Sequence, residues 1–351
     1  MKACWKPSNK TGETNRPKMI IAGDIGGTKT NVALFDGEGD RIGRIVVQQS
    51  FPSGKYGSLE AILAEFVSTH RPEVITHACF GVAGPVVGGR VEATNLVWTV
   101  SDRKLAETLG VPSVLLINDL EATAYGIEEL RPEQLYTLNE GAGERRGHRA
   151  LIAAGTGLGM AAIFDDGRRY HPMASEGGHM DFAPRNEQEF EMLKYLRARI
   201  GGRVSYERAL SGMGLFNIYS FLRDTGYAEE PDWLAREIES GDKSAAVSRA
   251  GVAGKSELAS KALQMFVELY GAMSGNLALM LKPFGGLYIG GGIAPKIIEK
   301  LKDGTFMRNY EDKGRMSGIV RSVPVRVILD DHTALYGAAH RALLETVEVD
   351  S

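Results

Sequence analysis

Two stretches of the chain share one pattern: a short apolar run, a glycine-rich break, and a second apolar run that stops at Asp-Gly. The first runs from Ile20 to Gly37 and contains Gly23-Asp24-Ile25-Gly26-Gly27-Thr28; the second runs from Leu151 to Gly167 and contains Gly155-Thr156-Gly157-Leu158-Gly159. Each apolar run is one strand long, so both read as strand, tight turn, strand. The second resembles a dinucleotide fingerprint in its glycines, but that fingerprint must open a helix, and another apolar strand follows here instead.

Further along, Asp40 to Ser50 predicts a third strand. Ser58 to His70 predicts an amphipathic helix with Leu59, Ile62, Leu63, Phe66 and Val67 at helical spacing. The run from His77 to Val86 is a buried strand ending in a loop. Val91 to Val100 carries Asn95, and Asp102 to Leu109 reads as a helix. Val114 to Ile117 is another buried strand, stopped by Asn118-Asp119, with a helix from Leu120. Three early strands followed by strands alternating with helices predict an α/β fold with a mixed sheet. The polar, glycine-rich stretch from Arg131 to Arg149 reads as a boundary. Beyond it lie long helices over about Glu187 to Ile200 and Ser256 to Leu281, a late strand from Pro324 to Leu329, and a final helix from Thr333 to Glu345. The stripe Leu258, Met265, Phe266, Leu269, Met273 and Leu277 reads as core, and the two hairpins are the extent of internal repetition.

Composition narrows the class. A chain of 351 residues suits two domains, and 43% hydrophobic content supports full cores. A net charge of -3 argues against nucleic-acid and membrane-surface partners. Cys4 and Cys79 are too few for a disulfide framework or a zinc site, which points to reducing cytoplasm. No run approaches the roughly 20 apolar residues a bilayer span needs. Residues 1–18 are polar and lack the apolar core of a secretory signal, so they read as a disordered leader before a fold that starts at Met19.

The candidate chemistry clusters at strand ends. Turn glycines uncover backbone N–H groups for a phosphate, Thr28 adds a hydroxyl, and Asp24 is placed to hold water on Mg²⁺; the alternative is an ordinary hairpin with an Asp capping its turn. Asp119, after a buried strand, is a candidate general base for a substrate hydroxyl, or else the cap of the helix it precedes. In Ser175-Glu176-Gly177-Gly178-His179-Met180-Asp181, the paired glycines argue for a loop. Glu176 and His179 suit the vicinal hydroxyls of a sugar, with the glycines letting a ring come close; metal ligation lacks a flanking motif. Glu207 is a further acceptor, or a helix N-terminal acid capped by Ser205. The triple glycine Gly290-Gly291-Gly292, with Pro295 opening a helix at Lys296, can face the flat base of a nucleotide.

In order, Gly23 to Thr28, Asn118-Asp119, Gly155 to Gly159, Glu176 to Pro184, Glu207-Arg208-Ala209-Leu210-Ser211-Gly212 and Gly290 to Ile293 resemble the bacterial ATP-dependent glucokinases. The likeness runs from about Met19 to the last helix. It implies a two-domain actin-like, sugar-kinase (ribonuclease H-like) α/β fold with ATP in the interdomain cleft. The small domain would span 19–130, completed by a helix at about 331–351, and the large domain 131–330. It implies ATP and Mg²⁺, with Gly23, Asp24, Ile25, Gly26, Gly27, Thr28, Gly155, Thr156, Gly157, Gly290, Gly291 and Gly292 around the nucleotide. Asp119 would be the base for the sugar 6-hydroxyl; Asn95, Asn118, Asp119, Glu176, His179 and Glu207 would line the glucose pocket. A homodimer is the expected assembly, and glucose 6-phosphate entering glycolysis the expected product. The neighbouring repressor/kinase family carries a cysteine-rich zinc motif after its Glu-x-Gly-His segment, which this chain lacks. A kinase of another hexose or amino sugar is the enzymatic rival. A sugar-responsive regulator would need a DNA-binding element, and an actin-like filament protein or chaperone ATPase would need neither Asn118-Asp119 nor the Glu-Gly-Gly-His loop.

Overall fold

The computed structural model describes residues 18–38, 41–92, 98–143 and 145–349. Asn95 and all of the leader except Lys18 lie outside the described residues; Lys18 already belongs to the first strand. The first sheet is built from β1 (Lys18–Ile25), β2 (Lys29–Glu38), β3 (Arg41–Pro52), β4 (Ile75–Val82) and β8 (Leu115–Asn118) in the order β3-β2-β1-β4-β8. The β1–β2 and β2–β3 pairs are antiparallel, whereas β1, β4 and β8 run parallel. A small antiparallel sheet of β5 (Val86–Val87), β6 (Arg90–Glu92) and β7 (Thr99–Ser101) leads into the helix α2 (Asp102–Leu109).

Alternation along the strands sends residues to opposite faces. Ile21, Ile25, Val32, Leu34 and Phe80 meet α1 (Leu59–His70) on one side. Ile20, Ala22, Phe35, Cys79 and Ile117 meet α3 (Asp119–Gly126) and the C-terminal helix Thr333–Val349 on the other. The last helix therefore packs on the first sheet.

A second, six-stranded sheet has the order β12-β11-β10-β13-β14-β9, from β9 (Leu135–Asn139), β10 (Arg149–Ala154), β11 (Leu158–Asp165), β12 (Tyr170–Ser175), β13 (Gly286–Gly290) and β14 (Val325–Ile328). Strand β9 lies inside the stretch that read as a boundary: Leu135 to Asn139 pairs antiparallel with β14. One face, with Ile152, Met160, Leu287, Ile289 and Val327, is covered by helices that include α4 (Glu187–Ile200), α5 (Gly212–Asp224), α6 (Asp232–Ser240), α7 (Lys243–Val252) and α8 (Glu257–Leu281). All six residues of the α8 stripe are buried there. Helices α5 to α7 were not read from the sequence; Gly212 and Gly214 open α5, and α6 and α7 are short helices on either side of Gly241. The other face, with Leu151, Ala161, Ile163, Tyr288 and Ile328, packs on Ala124 and Ile127 at the end of α3. So α3 lies between the two sheets. The chain passes from one to the other twice side by side, where the Leu329 N–H donates to the Gln134 carbonyl at 2.9 Å.

Candidate active site

Strand register assembles the first half of the site. Asp24 aligns with Gly81 and Gly81 with Ile117, and the next level is Ile25, Val82 and Asn118. Asp24, near the end of β1, and Asp119, just after β8, therefore lie at the carboxyl ends of the two parallel strands that flank β4, the edge where open α/β sheets place ligands. Gly81 lies on the floor between them. A Cβ there would fall 2.8 Å from the Ala122 Cβ and 3.7 Å from the Asp119 Cα, so only glycine lets α3 start this close.

The two acids feel each other. Loss of solvent pushes the Asp24 carboxyl up to about 6, and the Asp119 charge adds to this against Asn31, Lys29 and His332, which lower it. Burial also raises Asp119, opposed by the Leu120 N–H; the Glu176 charge raises it further. Asn118, and not Asp119, sits at the N-cap of α3: its Oδ1 accepts the Leu120 N–H at 2.9 Å, and its Nδ2 donates to the Gly84 carbonyl at 3.1 Å. Asp119 is the first residue of α3, one position earlier than the pattern indicated, and its Oδ1 shares the Leu120 N–H at 2.9 Å.

The first glycine turn is closed by the Gly26 N–H donating to the Lys29 carbonyl at 3.0 Å. Ser53, just after β3, braces it: its hydroxyl donates to the Gly26 carbonyl at 2.7 Å and meets the Thr30 hydroxyl at 2.9 Å. Thr28 is exposed on the turn. Gly23 is required by packing, since a Cβ would come 2.6 Å from the Phe80 ring.

The second turn forms between paired Ala154 and Leu158, with the Gly155 N–H donating to the Gly157 carbonyl at 2.9 Å. It gathers three other segments. The Ile293 N–H donates to the Ala154 carbonyl at 3.2 Å, which seats Gly290, Gly291 and Gly292 beside it, and Gly291 takes a φ of +83° there. No atom lies within 4 Å of a Cβ at Gly292, so that face of the triple glycine is open. Pro295 is the second residue of a single 3-10 turn, Ala294–Ile297, before a short helix, Ile298–Lys302. The Gly212 N–H, at the start of α5, donates to the Gly155 carbonyl at 2.8 Å. The buried Tyr270 hydroxyl of α8 joins Ala154, Ile152 and Gly290 at 3.2–3.3 Å.

The Glu176–His179 loop and Glu207 arrive at the same place. The Phe182 N–H donates to Val204, the Tyr206 N–H to Met180, and Arg203 holds both the His179 carbonyl at 2.6 Å and Asp181 at 2.9 Å. A Cβ on Gly178 would collide with the Leu158 carbonyl, so Gly178 lets this loop approach β11 closely. His179 and Glu176, 3.8 Å apart, leave 52% and 87% of their side chains exposed. Glu207 accepts the Leu158 N–H at 3.0 Å, while Ser205 makes no side-chain cap. Leu120, next to Asp119, packs against Gly159. First turn, candidate base, sugar-type acceptors and second turn thus meet around the start of α3 and of β11. Sequence reasoning missed Gly81, Ser53, Arg203 and Tyr270, none of which carries a motif of its own.

The glucokinase family model matches residues 21–345. A glucokinase of Nostoc sp. is 42% identical over 92% of this chain and 98% of its own length. Among solved structures, a glucokinase from an Antarctic psychrotroph superposes with a TM-score of 0.80 at 29% identity, over 93% of this chain and 99% of that one. A ROK family glucokinase from Streptomyces griseus, solved with glucose and AMPPNP, shares the fold at a TM-score of 0.63 and 23% identity, covering 92% and 99%. The chain belongs to the glucokinase family.

Proposed function

We propose that this chain transfers the γ-phosphate of ATP to the 6-hydroxyl of D-glucose and that Asp119 is the base. The observation that carries the assignment is the pair Asp24 and Asp119 at the ends of the two strands that flank β4, with Gly81 of β4 between them letting α3 start close by, and a glycine turn on each side. In this reading Gly23, Asp24, Ile25, Gly26, Gly27 and Thr28 hold phosphates on one side. Gly155, Thr156 and Gly157 with Gly290, Gly291 and Gly292 hold the nucleotide on the other. Asn118, Glu176, His179 and Glu207 grip the sugar, and Asn95, outside the described residues, belongs to the same pocket.

Asp119 accepts the hydroxyl proton as the sugar oxygen attacks phosphorus, and its raised carboxyl is a better base than an exposed aspartate. Most of the rate comes from positioning and from excluding water between the two halves. A carboxyl pushed to about 6 beside a second acid is a hard oxygen donor short of positive charge, which fits Mg²⁺. Asp24 would hold the ion through water. When bound, Mg²⁺ neutralises charge on the phosphate oxygens. We assign the two domains as 19–130 with the last helix, and 131–330, supported by the two sheet-centred cores.

Among the described residues no helix is long and apolar enough to cross a membrane. A cytoplasmic homodimer without nucleic-acid or membrane partners is our reading, supported by the charge balance, the cysteine usage and the family resemblance. A panel of glucose, mannose, fructose and N-acetyl amino sugars assayed with ATP tests the function. Glucose should have the highest kcat/KM; a clear preference for another sugar would overturn the assignment.

A further inference from the structure

A cavity of about 740 Å³ opens at the end of the second sheet away from the glycine turns. It lies where β10 and β13 begin, and the 3-10 turn Ile127–Glu129 that continues α3 forms part of its wall. Five arginines (Arg145, Arg146, Arg149, Arg168 and Arg326) line it with Glu128 and Glu140 as the acids. Positive charge therefore collects here in a chain whose net charge is -3.

The arginines are not all neutralised where they stand. Arg146 pairs with Asp165 at 3.0 Å. Arg145 and Arg168 make no ion pair among the described residues. The Arg149 guanidinium lies 3.7 Å over the Tyr170 ring with 19% of its side chain exposed, and its buried Nε has no hydrogen-bond partner. Its nearest acid, Glu128, stands off at 4.0 Å. Leaving a charged donor desolvated and unsatisfied is unfavourable, and a planar guanidinium fork matches two oxygens of a phosphate. The volume suits a small metabolite, and Tyr170 and Tyr288 supply apolar wall.

We propose that this cavity binds a small phosphomonoester dianion, at a site separate from the one that carries the chemistry. Arg149 and the free forks of Arg145 and Arg168 hold the phosphate, and the dianion displaces Glu128 from Arg149. Glu128 follows directly on α3, whose first residue is Asp119, so the ligand acts on the far end of the helix that carries the base.

Calorimetry on the full chain tests this. Glucose and AMPPNP are kept present to fill the reaction site, in chloride buffers of matched ionic strength. The probes are inorganic phosphate, glycerol 3-phosphate and glucose 6-phosphate; tighter binding of an ester than of phosphate would show that the tyrosine walls contact its organic part. Saturable phosphate binding is expected. Arg145→Glu with Arg168→Glu, both on the surface, should weaken it at least about tenfold, whereas the charge-matched pair Arg236→Glu with Lys255→Glu should change it less than about twofold. Glu128→Gln should tighten it. Absence of saturable binding of any probe, or equal weakening by both charge-reversed pairs, would overturn the proposal.

Discussion

Asp24 combines two properties that an ordinary turn-capping acid lacks: its carboxyl sits near 6, and a second acid helps keep it there. Because this value lies above the usual 3.8, the folded chain holds a proton that the unfolded chain releases. The group's favourable contribution is complete below about pH 4 and is lost as pH rises through 6, a difference of roughly 1–3 kcal/mol. Asp24→Asn should therefore melt higher than the parent at pH 8 and lose that advantage by pH 4.5, while its kinase activity falls. A Tm difference that stays constant across this range would contradict the desolvated pair. Glu176 and His179 make a second case. Replacing either with Ala should raise the glucose KM by about 10–100-fold, the loss of one charge-assisted hydrogen bond. Glu207→Ala should raise the KM for ATP as well, because Glu207 holds the Leu158 N–H of the second turn. Steady-state kinetics with each substrate varied checks both; unchanged glucose KM values would remove Glu176 and His179 from the sugar pocket.

At the scale of elements, α3 matters most, since its position sets where Asp119 points. It is clamped by missing side chains: Gly81 beneath its first turn, and Gly337 of the C-terminal helix, where a Cβ would collide with the Ala122 carbonyl. Gly337→Ala should lower stability by about 1–3 kcal/mol and kcat along with it. Gly54→Ala, where a Cβ meets nothing within 4 Å, should leave both unchanged. Thermal melts and turnover of the two variants, side by side, decide the point; a Gly337→Ala enzyme with parental Tm and kcat would mean the helices do not cross so closely. The same elements show what a sequence can convey. Helices α1 and α4 and both hairpins were legible because their apolar periodicity and caps are local: Ser58 and Asn186 each accept an N–H three residues on. Strand β9 was not, since Leu135 to Asn139 is half-buried at a sheet edge and pairs with residues nearly two hundred positions later. Gly81 and Gly337 were invisible for the same reason, their necessity lying in contacts between distant segments.

In the whole molecule, two sheets each bring the carboxyl ends of parallel strands to a common edge, β1, β4 and β8 in one and β10, β13 and β14 in the other. The paired glycine hairpins, visible in the sequence, belong one to each sheet. That pairing is what the proposed nucleotide clamp rests on. What joins the halves was hidden: Leu120 against Gly159, and the Gln134–Leu329 bond where the chain crosses twice. Asp119 stands at this junction, next to Leu120. The most direct measurement is the turnover of Asp119→Asn with glucose and ATP, taken together with its affinity for glucose. Turnover should fall by roughly 10²–10⁴-fold while glucose still binds and the melting curve is preserved. A folded variant that kept near-parental turnover would contradict the account, leaving Asp119 as a residue that only begins a helix.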